Sequence, residues 1–292
     1  MKERFAIRPL SRHVGAEIVG LDPRDVSDPE LAQLVLDTYE RYHLVLIRGH
    51  ELTEAQQVEL CQLVGVISAR GGKGYAKAGR ASALVSNRNG DVIFGDGELS
   101  FHSDLTFLEW PLKARSLHAL VLPKEGGNTL FSNVHAAYEA LPVELKARID
   151  NLCARHAVTY ERDGQLWVDE HTRPVVGHHS PSGKPVLMVS RAVTKDIPGM
   201  ERPEFRALLK QLWAQIEREE FVYTHVWQMH DIVLWDNVML QHARTTFDPA
   251  QPRTLRVVSV DSPEVAALEA AAQEQAAREK LAQQNVAPVV AS

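Results

Sequence analysis

Cysteine is nearly missing from this chain: only Cys61 and Cys153 occur, and they form no C-x-x-C pair. That excludes a disulfide framework and a cysteine-rich metal site. Long apolar runs are missing too. No stretch approaches the roughly 18 residues of a membrane span, and the opening MKERFAIRPL lacks the apolar core of a secretory signal. Positive charge is not in excess either. The net charge is −6 with no sustained basic stripe, which argues against nucleic acid as a partner. These absences point to a cytoplasmic enzyme or binding protein whose partner is a small molecule, with no membrane and no nucleic acid.

What is present suits a globular protein, with 45% hydrophobic and 24% charged residues among 292. β-Barrels and sandwiches of this length still form one unit, so residues 1–263 read as a single domain and 264–292 as a polar Ala- and Gln-rich tail. Ser27 and Glu30 have capping-box spacing ahead of Leu31, Leu34 and Val35, which marks a helix. Thr53 and Gln56 repeat the pattern for a second helix ending near Gly65. Leu44-Val45-Leu46-Ile47 reads as a buried strand. From Ala83 to Val260 short strand-like runs recur at 83–86, 116–122, 129–132, 186–190, 232–235 and 254–260. Turn signals at Asn89-Gly90, Gly126-Gly127 and Ser182-Gly183 separate several of them. A helix interrupts from about Pro203 to Glu219, its apolar positions on one face. Many short strands with few helices predict a mainly β fold such as a jelly roll.

Two segments keep two readings each. RGGKGYAKAG, from Arg70 to Gly79, is not a P-loop; it is a solvated loop or a lid closing on an anionic ligand. The tail from Glu264 has little to bury, so it is an exposed or frayed helix or else an oligomerisation element.

The chemistry starts at His102 and Asp104, two residues apart in SFHSDLTF. On a strand, residues i and i+2 point to the same face and can reach one ion. Alone, H-x-D is weak, and thirteen histidines raise its chance occurrence. Far downstream, however, the apolar run Ile232 to Trp235 leads to Gln241-His242-Ala243-Arg244. Two close ligands plus one distant histidine form a 2-His-1-carboxylate triad, which occupies one face of an octahedral iron(II) and leaves three positions open. A dicarboxylate co-substrate then needs an arginine fork at its far end. Arg253 and Arg256 are the candidates, and strand parity points them to opposite faces, so only one can serve.

At this point the sequence resembles the taurine dioxygenase/2,4-D dioxygenase (TauD/TfdA) family of iron(II)/2-oxoglutarate enzymes. FHSDLTF, GGNTLFSN and WDNVMLQHAR are similar to three motifs of that family in the right order, and GAEIVGLD and LVLIRG to its opening strands. The similarity covers roughly Phe5 to Val260. It implies a double-stranded β-helix, or jelly roll, with helices outside, and a homo-oligomer. It also implies His102, Asp104 and His242 as iron ligands, Thr129 as a hydrogen-bonding partner of 2-oxoglutarate, and Arg253 as the clamp on its distal carboxylate. The cofactors implied are Fe(II), 2-oxoglutarate and O2, and the implied activity is oxidative decarboxylation of 2-oxoglutarate coupled to hydroxylation, or a related C–H oxidation, of a small organic substrate.

Two positions depart from the family pattern. Taurine dioxygenases carry a second, sulfonate-gripping arginine where this chain has Val257, which argues against taurine. The family's pocket asparagine is replaced by Glu98, which strand parity puts on the face of His102. A buried carboxylate there needs either a substrate amine or hydroxyl or a salt bridge. His178-His179 reads as an exposed hairpin loop, and His156 and His225 as core histidines. Trp110-Pro111 walls the pocket or simply packs, and Asp236 and Asn237 shape the turn that presents His242. Two rivals stay open: a zinc-dependent hydrolase on the same three ligands, and a non-catalytic jelly-roll binding protein.

Overall fold

The computed structural model describes residues 5–70, 80–88, 98–162 and 164–285. The chain opens with β1 (Ala6–Pro9), β2 (Ala16–Val19), α1 (Pro29–Tyr42), β3 (Leu44–Ile47), α2 (Glu54–Gln62), β4 (Val66–Ile67) and β5 (Ser82–Ser86). Next come β6 (Leu99–His102), β7 (Ala114–Val121), β8 (Thr129–Asn133), α3 (Val134–Glu139), α4 (Val143–Ile149), β9 (Cys153–Arg162), β10 (Gln165–Pro174), β11 (Val176–His178) and β12 (Pro185–Leu187). It closes with β13 (Thr194–Asp196), α5 (Arg202–Ile216), β14 (Val222–His225), β15 (Ile232–Asp236), β16 (Leu240–Arg244), β17 (Thr254–Asp261) and α6 (Pro263–Asn285). No described helix is long and apolar enough to cross a membrane.

Two sheets carry the architecture. The larger runs β1-β2-β3-β15-β7-β17-β4, with β5 also paired to β17, and the smaller runs β14-β8-β16-β6. Their inner faces share one core. Leu44, Leu46, Val233, Trp235, Leu255 and Val257 of the large sheet meet Phe131 and Leu240 of the small one, and the rings of Phe131 and Trp235 touch edge to face at 5.3 Å. The alternate residues Val45, Ile47, Ile232, Leu234, Val258 and Val260 form a second core with Leu31 and Val35 of α1 and Leu60 of α2. Successive strand residues point to opposite faces, and here both faces are covered. That is why LVLI and IVLW are apolar at every position. The result is a jelly roll with helices on the outside of its large sheet.

Local details refine the sequence reading. Thr53 and Gln56 make the expected reciprocal capping box on α2. On α1 the cap is Asp28, not Ser27: its carboxylate accepts the Glu30 N–H, and Pro29 opens the helix. The run 186–190 narrows to β12. The antiparallel hairpin β9–β10, in register over all ten residues of each strand, was not anticipated. The tail forms α6, whose described side chains are mostly exposed. The Gly-rich segment beyond Arg70 and the Asn89-Gly90 turn lie outside the described residues.

Candidate metal centre and its pocket

His102 closes β6, and the register of the small sheet sets it directly opposite His242 of β16. This pairing joins residues far apart in sequence, and their ring centroids lie 4.3 Å apart. Asp104 is not on the strand. The chain turns after His102, and Leu105 adopts a left-handed φ of 58°, a conformation rare for a leucine. That turn carries the carboxylate back to the imidazoles, with Asp104 Oδ1 3.9 Å from His102 Nε2 and Oδ2 3.6 Å from His242 Nε2. Ligand atoms of all three residues lie within 4.8 Å of one another.

The protonation of these groups suits a cation. His102 Nδ1 donates to the Ser100 carbonyl at 2.8 Å, which leaves Nε2 as the ring nitrogen on the side of Asp104. Burial, reinforced by His102, pushes His242 down to about 3, so its ring is neutral. Burial alone would raise the Asp104 carboxyl. The Arg115 guanidinium, 2.8 Å from Oδ2, is the largest influence against that, and the carboxyl is held below its usual range. Asp104 Oδ1 is buried with no hydrogen-bond donor. An orphaned carboxylate oxygen beside two imidazoles fits a metal ion.

The turn is held from behind. Asn237 Oδ1 accepts the Asp104 N–H at 2.8 Å, and its Nδ2 donates to the Asp104 and Leu112 carbonyls at 3.0 Å each. Arg173 donates through Nε to the Thr106 carbonyl at 2.7 Å and through Nη2 to the Leu108 carbonyl. Asn237 thus holds the Asp104 turn, while Asp236 shapes the turn before β16 by accepting from Val238 and Met239 N–H groups. The expectation for His178-His179 needs correction: His178 is exposed, but His179 is buried and donates from Nε2 to Asp236 Oδ2 at 2.9 Å. Neither Arg115 nor Arg173 was singled out from sequence, since an arginine between apolar strand residues reads as solvent-facing.

A cavity opens against the imidazoles, lined also by Thr129, Arg253, Leu117, Trp235, Arg244 and Val257. Arg253 is 3% exposed. Its Nε and Nη2 both donate to the Gly127 carbonyl, at 3.1 and 2.9 Å. Gly127 has φ +64°, and a Cβ there would stand 2.8 Å from Arg253 Nε; the glycine is what admits the guanidinium. Burial, then the neighbouring Arg244, pushes Arg253 down to about 9, so it is still cationic at neutral pH. Among the described residues no carboxylate pairs with it. A buried cation without a counter-ion is costly unless a ligand supplies one. Beside it, Thr129 Oγ1 accepts from Trp227 Nε1 at 3.0 Å, leaving the hydroxyl proton to donate. Arg256 points the other way, to Gln57 Oε1 at 2.7 Å and the Leu52 carbonyl at 2.6 Å, on the outer face.

The remaining candidates separate cleanly. Val257 is buried on the cavity wall. Glu98 is exposed, contrary to the parity argument, because the β6–β16 register shifts between the His102 and Leu99 pairings. That irregularity breaks the two-residue alternation on which its burial rested. His156 and His225 are fully buried, as expected of core histidines, and His225 Nε2 lies 3.2 Å from Asp231. Trp110 does not line the cavity; it is 39% exposed.

Fold and site together show a jelly roll in which two histidines and one carboxylate cluster beside a cavity lined by a buried guanidinium. Residues 6–259 match the model of the family described as taurine catabolism dioxygenase TauD, TfdA family, and the chain belongs to it. The (S)-phenoxypropionate/alpha-ketoglutarate-dioxygenase of Sphingobium herbicidovorans is 30% identical over 272 residues, covering 87% of this chain and 94% of that protein. The alpha-ketoglutarate-dependent 2,4-dichlorophenoxyacetate dioxygenase of Cupriavidus pinatubonensis is 27% identical, covering 85% and 94%. The crystal structure of AAD-2 with Mn(II) and N-oxalylglycine superposes with a TM-score of 0.74 at 30% identity, covering 88% of this chain and 97% of that one. The chain is accordingly an alpha-ketoglutarate-dependent dioxygenase in class.

Proposed function

We propose that this enzyme uses iron(II), 2-oxoglutarate and O2 to hydroxylate an aliphatic C–H of a small organic anion, with succinate and carbon dioxide as co-products. The observation that carries this reading is one cavity lined both by the imidazoles of His102 and His242, beside which an Asp104 oxygen is orphaned, and by the Arg253 guanidinium, which no carboxylate meets among the described residues. His102, Asp104 and His242 would hold the iron on one face; when bound, it supplies the open positions at which the co-substrate and oxygen are activated. Arg253 donates to the distal carboxylate of 2-oxoglutarate, and the Thr129 hydroxyl, oriented by Trp227, adds a second donor. Arg115 keeps Asp104 ionised. Leu117, Trp235 and Val257 exclude water from the cavity wall.

The two relatives are named for carboxylates, phenoxypropionate and 2,4-dichlorophenoxyacetate, which supports an anionic substrate. Val257 puts no charge where a taurine-binding arginine would stand, so taurine is not the substrate proposed. A zinc hydrolase on the same ligands leaves Arg253 without a role.

Anaerobic addition of iron(II) and 2-oxoglutarate is expected to produce a visible charge-transfer absorption, and admitting oxygen with an aryloxy carboxylate to release succinate. The absence of both the absorption and succinate would sink the assignment; a His102→Ala variant with full activity would sink the ligand set.

A further inference from the structure

Val257 is a wall shared by two spaces. One is the cavity of the two imidazoles. The other is a pocket lined by Ser68, Arg70, Arg80, Ser82, Leu105 and Ser259, among others. Strand geometry explains the adjacency. Arg253, Leu255, Val257 and Ser259 alternate onto the same face of β17, so that face leads from the buried guanidinium, past the imidazoles and into the second pocket. Leu105, the residue after Asp104, lines the pocket as well. Val257 is the residue common to both linings, so a molecule anchored in this pocket and extending past Val257 would enter the cavity of the two imidazoles.

The lining is rich in donors. Arg70 is occupied: its guanidinium binds Asp261 and the Trp110 and Pro111 carbonyls. Arg80 is not. It makes no ion pair or hydrogen bond among the described residues and stands at the exposed rim. Ser259 Oγ accepts from Arg115 Nε at 3.3 Å, and Ser68 Oγ from the Arg70 N–H at 3.4 Å, so both hydroxyl protons can be donated. Ser82 gives its proton to Glu54 at 2.8 Å and is not counted.

We propose that this pocket receives the anionic group of the substrate and that Arg80 is the cation that binds it, in place of a charge at position 257. The proposal rests on the dioxygenase reading above and specifies its substrate: an elongated molecule with a carboxylate or sulfate at one end and the oxidised C–H several atoms away.

The test uses the full chain with iron(II) and 2-oxoglutarate, without oxygen. The probes are 4-phenoxybutanoate and hexyl sulfate, with 4-phenoxybutanamide and hexanol as neutral counterparts, and binding is read by calorimetry and by perturbation of the charge-transfer band. The wild type is expected to bind at least one anion roughly tenfold or more tightly than its neutral counterpart, in line with a charge-assisted hydrogen bond. Arg80→Ala should abolish that preference and Arg80→Lys restore part of it, with the 2-oxoglutarate band retained in both. An Arg80→Ala protein that keeps the wild-type preference, or a wild type that binds neither anion, overturns the proposal. Absence of the charge-transfer band itself counts against the metal-site reading instead, since calorimetry still reports anion binding.

Discussion

Asp104 is fixed by a side chain that never faces the cavity. All three hydrogen-bonding groups of the Asn237 amide are engaged, and two of them hold the Asp104 backbone. Asn237→Ala strands buried backbone groups at about 1–3 kcal/mol each and frees a turn that contains a left-handed leucine. The expected outcome is a lowered Tm together with metal affinity reduced roughly 10- to 100-fold, measured by anaerobic iron(II) or cobalt(II) titration. A variant that loses stability but binds metal as the wild type does would make Asn237 a fold residue only. That His102, Asp104 and His242 come together was legible in the sequence, because H-x-D and a distant histidine are residue types with few other joint explanations. Arg115 was not, because nothing in KARSLHAL marks one arginine as buried until Asp104 is seen against it. Glu98 misled for a local reason: parity holds only along an unbroken strand, and the β6–β16 register shifts beside it.

At the scale of an element, β17 separates two arginines by direction alone. Arg253 enters the cavity and Arg256 enters a polar network with Gln57 and His118 under α2. Their removal is expected to have opposite signatures. Arg253→Ala should weaken 2-oxoglutarate binding at least tenfold, given charge-assisted bonds of about 1.5–3 kcal/mol, while iron binding is retained. Arg256→Ala should leave that affinity within about twofold and lower stability by about 1–3 kcal/mol through the stranded Gln57 and Leu52 acceptors. Charge-transfer titrations and urea unfolding distinguish the two, and a reversed pattern refutes the parity assignment. Strands whose two faces meet different cores were readable as apolar runs. The β9–β10 hairpin was not, because β10 is exposed at most positions, including Leu166, Trp167 and Val168, and so shows no burial alternation to detect.

For the molecule as a whole, the proposed metal centre would also be a point of stability. Both sheets supply its walls: His102, Thr129 and His242 from the small sheet, Arg115, Trp235, Arg253 and Val257 from the large one. A ligand that binds only when the sheets are docked stabilises the docked state by RT ln(1 + [L]/Kd), about 2.7 kcal/mol at a hundredfold excess over Kd. Anaerobic iron(II) or manganese(II) is therefore expected to raise Tm by several degrees, on the order of 2–4 °C per kcal/mol for a protein approaching this size. Added 2-oxoglutarate should raise it further only when metal is present, and a chelator should reverse both steps. His242→Ala should lose the metal-induced rise, and Arg253→Ala only the increment from 2-oxoglutarate. Removing residues 264–292, whose described helix is largely exposed, should leave both increments unchanged, because α6 contributes nothing to the cavity wall. If that truncation abolished either increment, the tail would have to be tied to the site, against the exposure of its described side chains.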